Sequence, residues 1–281
     1  MSGPLVDYSG KRVVVIGGAT GMGAATARTA ADLGASTIVL DVADIGYPCD
    51  QSIRVDLGDR SSVDAALDAI EGPVVAVFAC AGVADGTPNL MLINFTAQRH
   101  MVETMVEQGT LGRGGSIAFI SSVAGLGFME ELETVQDFLA SPDWDAAAAW
   151  IAAHEGTDNY GFSKQAINAY VAAQAYPLMA KGVRINAILP GPTDTPLAQA
   201  NADLWLTFGA DYREATGAPT LVPQQMANTM LFLCSDAASG ISGVTLLVDQ
   251  GHVNASLVDS FDAPIVKMIA GVMEFDLGAL G

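Results

Sequence analysis

Basic side chains are scarce in this sequence. Its 281 residues include 12 Lys and Arg against 31 Asp and Glu, so the formal net charge is −19 at pH 7. A surface of this sign repels phosphate polymers and anionic lipid headgroups. We therefore expect neither a nucleic-acid partner nor membrane binding.

Cysteine and histidine are too few and too scattered for a disulfide framework or a metal centre. The 3 cysteines and 3 histidines show no paired spacing, and none lies in a cluster with carboxylates that would build a metal cage. We expect reduced thiols and no metal cofactor.

Long apolar runs are missing as well. Residues 73–84 form one of the longest, and this run is well short of the ~20 residues that cross a bilayer. No cationic segment followed by an apolar stretch marks the N-terminus. The sequence predicts a cytoplasmic protein.

Aliphatic residues are abundant, with 51% hydrophobic residues of which few are aromatic. Continuous apolar runs alternate with segments of helical periodicity, which predicts a parallel sheet covered by helices on both faces. We expect a single-domain, doubly wound Rossmann-type α/β fold with seven parallel strands over residues 1–281. The predicted strands are 12–17, 36–40, 52–55, 74–79, 116–121, 184–189 and 244–248, and the predicted helices are 22–33, 59–71, 89–108, 159–181 and 224–233.

A glycine-rich turn follows the first predicted strand. Gly17, Gly21 and Gly23 would let the chain turn tightly and let backbone amides approach a pyrophosphate at the start of the next helix. Such turns also serve simple strand-to-helix packing, so the loop alone is weak evidence for a nucleotide site.

Asp41 strengthens the nucleotide interpretation. It closes the second strand 18 positions after Gly23, close to the ~20 expected for a ribose-binding carboxylate. Its charge would repel a 2′-phosphate, so the sequence predicts a preference for NAD(H) over NADP(H). The alternative is that Asp41 only caps a strand end or a helix.

Tyr160 and Lys164 are four residues apart on a predicted helix, so their side chains share one face. A nearby ammonium group favours the phenolate form of tyrosine, which would bring its pKa closer to neutral pH. Lys164 could also bond a nicotinamide ribose. A Tyr-x-x-x-Lys spacing alone also arises by chance.

Together these residues resemble the short-chain dehydrogenase/reductase family, from about residue 11 to 251. The resemblance implies that Tyr160 is the general acid/base and that Ser122 stabilises the carbonyl oxygen. It implies that Lys164 holds the ribose and tunes Tyr160, and that Asn94 positions a water. The further cofactor contacts that it implies are Thr20, Met22, Asp56, Leu57, Ala81, Gly82, Ile188, Pro190, Gly191, Thr193 and Thr195. Asn94 and the threonines could instead serve only as caps or turn residues.

Two positions depart from the family pattern. Ile16 replaces a threonine, and Cys80 lies where an asparagine is usual. Because the two usual side chains support each other by hydrogen bonding, losing both together can be nearly neutral. We interpret the pair as a compensated change of the scaffold.

An insertion, at about residues 126–156, separates Ser122 from Tyr160. A similar insertion occurs in a bacterial 3α-hydroxysteroid dehydrogenase/carbonyl reductase subgroup, which this chain resembles most. Asp143 or Asp145 could cap a helix there. The insertion could obstruct the helix pairing that builds tetramers and leave a homodimer, with a homotetramer as the other possibility, or it could serve as a substrate lid.

The predicted substrate loop, at about residues 192–222, and the tail over 254–281 are both rich in apolar residues. Trp205 and Phe208 would favour a bulky, neutral, apolar ligand, although such residues could equally well pack against the domain. Leu204, Leu206 and Tyr212 belong to the same apolar set. The tail could dock on this fold or on a second subunit.

The sequence thus predicts an NAD(H)-dependent oxidoreductase. Its expected substrate is a small apolar ketone or secondary alcohol, such as a hydroxysteroid-like compound. The alternatives are a 3-oxoacyl thioester reductase and a non-catalytic dinucleotide-sensing protein.

Overall fold

Strands form where β-branched and aliphatic residues run without interruption, because these residues fit a pleated surface that is buried on both faces. The computed structural model describes residues 6–272. Its strands are β1 (Arg12–Ile16), β2 (Ser36–Asp41), β3 (Gln51–Arg54), β4 (Val74–Ala79), β5 (Leu111–Ile120), β6 (Arg184–Pro190) and β7 (Thr245–Val248).

Helices fill the connections between the strands. They are α1 (Gly21–Asp32), α2 (Arg60–Asp68), α3 (Ala97–Glu107), α4 (Leu132–Leu139), α5 (Trp144–Ala153), α6 (Tyr160–Lys181), α7 (Pro196–Ala200), α8 (Ala202–Trp205), α9 (Ala210–Thr216), α10 (Pro223–Cys234), α11 (His252–Leu257) and α12 (Pro264–Ile269). A π-helical turn (Leu92–Thr96) precedes α3, and 3₁₀ turns lie at Val123–Met129 and Asp236–Ala238.

All neighbouring strands pair in parallel, in the order β3-β2-β1-β4-β5-β6-β7. The predicted seven-stranded, doubly wound sheet is confirmed. The chain runs outward from β1 to β3 and then returns to β4, so the strand order reverses between β1 and β4. A binding crevice opens at the carboxyl ends of the strands at such a point.

Alternate residues of β1 belong to the two apolar layers. Val14 and Ile16 are buried on one face of the sheet, against α2, α3 and α6. Val13 and Val15 are buried on the other face, against α1 and α10. Burial on both faces explains why the strands appear as continuous apolar runs.

The structure contains five helices that were not predicted, α7, α8, α9, α11 and α12, and two of the predicted elements differ in form. β5 begins at Leu111 and not at residue 116, and its register with β4 shifts between Val74 and Ala76. The helix predicted over 89–108 includes the π turn, which adds a residue to one turn and so breaks the regular period.

The inserted segment forms α4 and α5 and packs into the first apolar layer. Phe138 is fully buried, and its ring centre lies 5.6 Å from that of Phe95, 5.1 Å from Trp150 and 5.8 Å from Phe162. These contacts join the insertion to α6 and to the π turn. The insertion is therefore part of the main core.

Polar contacts fix the middle of the insertion, where α4 ends and α5 begins. The guanidinium of Arg99, in α3, donates to the carbonyls of Leu139 at 3.2 Å and Ser141 at 3.1 Å. Asp143 caps α5 by accepting from the N–H of Ala146 at 2.9 Å, whereas Asp145 pairs with Arg60 of α2. Of the two carboxylates that could cap, Asp143 does so.

The part of the C-terminal tail that the structure describes docks on this same chain. Val266, in α12, is buried, and α12 packs against the 3₁₀ turn Val123–Met129. The predicted tail beyond residue 272 lies outside the described residues. Between residues 6 and 272, no helix combines the length and apolarity that spanning a membrane requires.

Candidate active site

The loop between β1 and α1 requires glycine at its turn. Gly17 has a φ of +78°, and a Cβ there would collide with the backbone of Ala81. A Cβ at Gly23 would collide with the carbonyl of Gly17. The loop leads into the N-terminus of α1, which is the kind of helix end that binds phosphate. The predicted residues Thr20, Gly21 and Met22 form the N-cap and the first turn of that helix.

Asp41 ends β2 beside this loop. Its Oδ2 accepts a hydrogen bond from the N–H of Ala19 at 2.8 Å, and its Oδ1 accepts one from Ala43 at 3.0 Å. A carboxylate has about four acceptor sites, so Asp41 retains capacity for the hydroxyl groups of a ribose. The bare loop and this carboxylate fit a dinucleotide.

Tyr47 is a contact of the glycine loop that the sequence analysis missed. Its hydroxyl donates to the carbonyl of Gly18 at 2.5 Å, and the guanidinium of Arg28 lies 4.5 Å from the centre of its ring. Tertiary packing brings these side chains together from α1 and from the segment between β2 and β3. A cation thus lies near the loop, where the sequence indicated none.

Asp56 and Leu57 follow β3 at the same edge of the sheet. Leu57 is buried in the core, whereas Asp56 is exposed and its Oδ1 accepts from the N–H of Gly58 at 2.8 Å. Of this pair, the side chain available to an adenine or a ribose is therefore Asp56.

A cavity of about 380 Å³ opens at the carboxyl ends of β4, β5 and β6. The predicted residues that it brings together are Met22, Ala81, Gly82, Ser122, Tyr160, Lys164, Pro190, Gly191, Thr193 and Thr195. The other predicted residues (Gly17, Thr20, Gly21, Gly23, Asp41, Asp56, Leu57, Asn94 and Ile188) lie outside its lining. Ile188 is fully buried inside β6.

Tyr160 is the first residue of α6, and the N-cap residue Asn159 fixes this end of the helix by accepting from the N–H of Phe162 at 2.8 Å. Ser122 follows β5 and caps the next 3₁₀ turn by accepting from the N–H of Ala124 at 3.2 Å. Ser122 and Tyr160 both line the cavity, and the Ser122 hydroxyl acts to lower the pKa of Tyr160. A hydroxyl pair that could receive one carbonyl oxygen therefore lies in the cavity.

Lys164 lies one helical turn after Tyr160 and is buried. Its Nζ donates to the carbonyl of Ile120 at 3.0 Å and lies 5.3 Å from the centre of the Tyr160 ring. The predicted shared face of the two side chains is present.

Burial dominates the electrostatics of both groups. It raises the pKa of Tyr160 to about 12, against a lowering by the hydroxyl of Ser122 and with a further increase from the charge of Asp85. Burial also lowers the pKa of Lys164 to about 8. The prediction that the pKa of Tyr160 is lowered was wrong, because burial desolvates the phenolate.

Asn94 lies in the π turn and is fully buried. Its Oδ1 accepts from the N–H of Val83 at 2.8 Å, and its Nδ2 donates to the carbonyl of Val83 at 3.1 Å and to the Oγ of Ser163 at 3.2 Å. The amide therefore ties the segment after β4 to α6, next to Tyr160.

The threonines after β6 stabilise their own segment. Thr193 Oγ1 donates to the carbonyl of Gly191 at 2.9 Å, and Thr195 Oγ1 accepts from the N–H of Ala198 at 3.1 Å as the N-cap of α7. Both are buried and line the cavity. They thus combine the turn and cap roles with a position at the site.

The two residues that depart from the family pattern are neighbours. The N–H of Cys80 donates to the carbonyl of Ile16 at 2.8 Å, and the Ile16 side chain is fully buried among apolar groups. Burial raises the pKa of the Cys80 thiol.

One wall of the cavity is apolar. Trp205 packs against Tyr160, and their ring centres are 4.8 Å apart. The remaining members of this wall are Val123, Ala124, Leu197, Ala198, Leu204, Phe208 and Ile269. Tyr212, by contrast, packs on His252 and Phe261.

Charged groups are few at the cavity. In the part of the chain that the structure describes, Asp85 and Lys164 are the charged members of its lining. Across residues 6–272, no group of three or more His, Cys, Asp and Glu side chains is arranged to hold a metal ion.

The sheet is parallel and doubly wound, and a glycine loop lies where its strand order reverses. Together with a Tyr-Lys pair in the crevice, these features define a class of dinucleotide-binding oxidoreductases. Two family models match this chain: short chain dehydrogenase over residues 11–133, and Enoyl-(Acyl carrier protein) reductase over residues 146–253. The chain belongs to the short-chain dehydrogenase/reductase family. It is therefore an oxidoreductase that acts on CH–OH groups and binds a nicotinamide dinucleotide.

Relatives in this family cover almost the whole chain. A cis-4-hydroxycyclohexanecarboxylate dehydrogenase from Sinomonas cyclohexanicum is 31% identical over 87% of this chain and 97% of its own length. A 3-alpha-hydroxysteroid dehydrogenase/carbonyl reductase from Comamonas testosteroni is 27% identical over 85% of this chain and 95% of its own length. In fold, the chain is similar to the NADH complex of the 3-alpha-hydroxysteroid dehydrogenase from Pseudomonas sp. B-0831, with a TM-score of 0.71, 24% identity, and coverage of 90% of this chain and 100% of that one.

Proposed function

We propose that this protein is an NAD(H)-dependent dehydrogenase that interconverts a bulky, uncharged, apolar secondary alcohol and its ketone. The observation that supports it most is that Ser122, Tyr160 and the buried Lys164 line one cavity that has an apolar wall.

In this proposal Tyr160 is the general acid/base. During ketone reduction its hydroxyl donates a proton to the carbonyl oxygen, and during alcohol oxidation its phenolate accepts the hydroxyl proton. Ser122 donates a hydrogen bond to the same oxygen and stabilises the negative charge that develops there. The nicotinamide ring supplies or accepts the hydride.

Lys164 and Asn94 support this proton transfer. The ammonium group of Lys164 bonds the nicotinamide ribose and stabilises the phenolate form of Tyr160. Asn94 holds the segment after β4 against α6 and orders a water next to Lys164.

The preference for NAD(H) depends on Asp41. Its carboxylate at the end of β2 accepts hydrogen bonds from ribose hydroxyls and repels a 2′-phosphate. Arg28 is the nearby cation that could offset this repulsion, but its guanidinium lies over the ring of Tyr47. The remaining dinucleotide contacts are the glycine loop, Asp56 and the segment from Pro190 to Thr195.

The substrate class depends on the apolar wall. Burial of apolar surface stabilises a complex by ~25 cal/mol per Å², and Trp205, Phe208 and Leu197 offer such surface opposite Tyr160. A hydroxysteroid-like or other cyclic alcohol is the kind of compound that fills it. The names of the two relatives above contain a cyclohexane ring, which carries a carboxylate, and a steroid, and they support a cyclic substrate but not the absence of charge.

The test is an NADH oxidation assay on a panel of steroid, monocyclic and acyl-thioester ketones. We expect the uncharged cyclic ketones to give the highest kcat/KM. In Tyr160→Phe, turnover should fall by a factor of about 10²–10⁴, whereas NADH binding, followed by fluorescence titration, should persist. Tyr176→Phe is the matched control, because Tyr176 is 84% exposed. Unchanged turnover in Tyr160→Phe would exclude the proposed role.

The same assay addresses the alternatives. A 3-oxoacyl thioester reductase commonly uses NADPH and needs a cationic surface for an acidic carrier, which a chain of net charge −19 provides poorly. A non-catalytic sensor would bind dinucleotide without turnover of any member of the panel.

We also propose a homodimer. The inserted helices α4 and α5 pack against α3 and against the catalytic helix α6, and many family members pair helices in this region to build tetramers. In the described residues the cavity lining contains none from 126–156, which favours this role over a lid. Light scattering that shows a tetramer persisting on dilution would contradict the dimer.

A further inference from the structure

The segment after β4 places a carboxylate at the mouth of the cavity. Asp85 is exposed and lines the cavity beside Tyr160, Gly161 and Trp205. Its Oδ1 accepts a hydrogen bond from the N–H of Tyr160 at 2.7 Å. The negative charge is therefore held next to the residue that acts on the substrate.

A second hydrogen bond keeps Asp85 in this position. Asp158, which precedes α6, accepts from the N–H of Met91 at 2.8 Å. Asp85, after β4, thus accepts a hydrogen bond from the start of α6, and Asp158, before α6, accepts one from Met91. Because each segment holds the other, the charge of Asp85 is a fixed feature of the cavity.

The cavity has little positive charge to balance Asp85. Lys164, the other charged member of the lining in the described residues, is buried, and its Nζ donates to the carbonyl of Ile120. Arg213, from the nearby substrate loop, donates to the carbonyls of Leu206 and Phe208. The charge of Asp85 reaches Tyr160, since it contributes to raising the pKa of that residue.

We propose that Asp85 is a specificity-determining residue that makes the site discriminate against substrates carrying a carboxylate or a phosphate. An anionic group in the cavity would lie near a fixed like charge and would be repelled by it. Because Asp85 is exposed, salt screens this repulsion. An uncharged substrate of the same shape meets no such repulsion. This inference rests on the proposed function and specifies its substrate class.

The test compares 4-oxocyclohexanecarboxylate with its primary amide, which has nearly the same shape and no charge. We expect the wild-type protein to reduce the amide with a kcat/KM at least tenfold higher than that of the carboxylate. In Asp85→Asn this preference should shrink to less than about threefold, mainly through a lower KM for the carboxylate. Because the ratio is taken within one variant, a general loss of turnover cancels.

Asp158→Asn is the matched control. It weakens the other hydrogen bond between the two segments and leaves the cavity charge in place, so the wild-type preference should persist. An unchanged preference in Asp85→Asn, or an equal decrease in both variants, would overturn the proposal.

Salt gives a second measurement that needs no variant. Raising the ionic strength from about 0.01 M to about 1 M shortens the Debye length from about 30 Å to about 3 Å, so the wild-type preference should decrease severalfold. A preference that salt leaves unchanged would contradict a charge effect. If the protein reduces neither 4-oxocyclohexanecarboxylate nor its amide, nor any other ketone of the panel, the proposed function itself is rejected.

Discussion

The Nζ of Lys164 lies 5.3 Å from the centre of the Tyr160 ring. Burial disfavours the charged form of both side chains. The pKa of Tyr160 is raised to about 12 and that of Lys164 is lowered to about 8. In this pair the neutral phenol is the favoured form at neutral pH. The balance determines how the two directions of the reaction should respond to pH.

Alcohol oxidation should accelerate as the pH rises, because it requires the phenolate of Tyr160. Well below a pKa of about 12, the phenolate fraction grows about tenfold per pH unit. Ketone reduction uses the protonated phenol and should be nearly constant over about pH 6–8. The measurement is kcat/KM against pH in both directions. An oxidation rate that falls between pH 6 and 8 would contradict the role of Tyr160.

Replacing Lys164 by Met should abolish most turnover and yet stabilise the fold. The pKa of Lys164 is about 8 in the folded protein, against an ordinary 10.5, so the unfolded chain binds more protons between these values and wild-type stability rises with pH there. The gain in Lys164→Met should therefore be largest below pH 8 and fade toward pH 10.5. We expect up to about 3 kcal/mol, with roughly 2–4 °C in Tm per kcal/mol.

Thermal unfolding at low and high pH measures this effect. Lys181→Met is the control, because Lys181 is exposed at the end of the same helix and pays no burial penalty. A lower Tm for Lys164→Met at neutral pH would show that the hydrogen bond to Ile120 outweighs desolvation.

Asp41→Asn should weaken the discrimination against NADPH. The substitution removes the charge that repels a 2′-phosphate, while the amide oxygen can still accept from the N–H of Ala19 or Ala43. We expect the ratio of kcat/KM for NADH to that for NADPH to fall by about tenfold or more. Asp44→Asn is the control, since that carboxylate is almost fully exposed. If the two variants give the same ratio, Asp41 does not determine the preference.

Phe138→Ala should destabilise the whole domain and not only the insertion. Truncation of a fully buried phenylalanine typically costs about 3–5 kcal/mol, and Phe138 contacts Phe95, Trp150 and Phe162 in the main core. Urea unfolding measures the loss, with Val258→Ala as the control at a 74% exposed position. A loss below about 1 kcal/mol would indicate that the insertion is only loosely attached.

The strand positions could be predicted from the sequence, because burial on both faces produces uninterrupted apolar runs such as Val74–Ala79. The first half of β5 was missed, since its Gly-Arg-Gly-Gly sequence has no apolar run and lies at the register shift with β4, between the pairs Val74–Leu111 and Ala76–Ser116. The π turn around Asn94 was missed because a single irregular turn inside a longer helical segment has no sequence marker of its own.

The Tyr160–Lys164 pair could be predicted from its spacing, and Ser122 was implied by the family resemblance; the topology brings all three to one cavity. Asp85 and Asp158 could not be predicted, because each acts across the fold on a backbone N–H that no spacing rule connects to it. The direction of the pKa shift of Tyr160 depends on how many atoms surround the ring, and a motif does not contain that information.

The contact of Trp205 with Tyr160 gives this protein an internal optical reporter. Indole emission depends on local polarity and is quenched by a reduced nicotinamide ring nearby, so the arrival of ligands in the cavity should change the light that Trp205 emits. The other two tryptophans, Trp144 and Trp150, lie in the inserted helix α5. Replacing both with phenylalanine would leave a single emitter at the reaction centre and make ligand entry visible on the millisecond scale without any added dye.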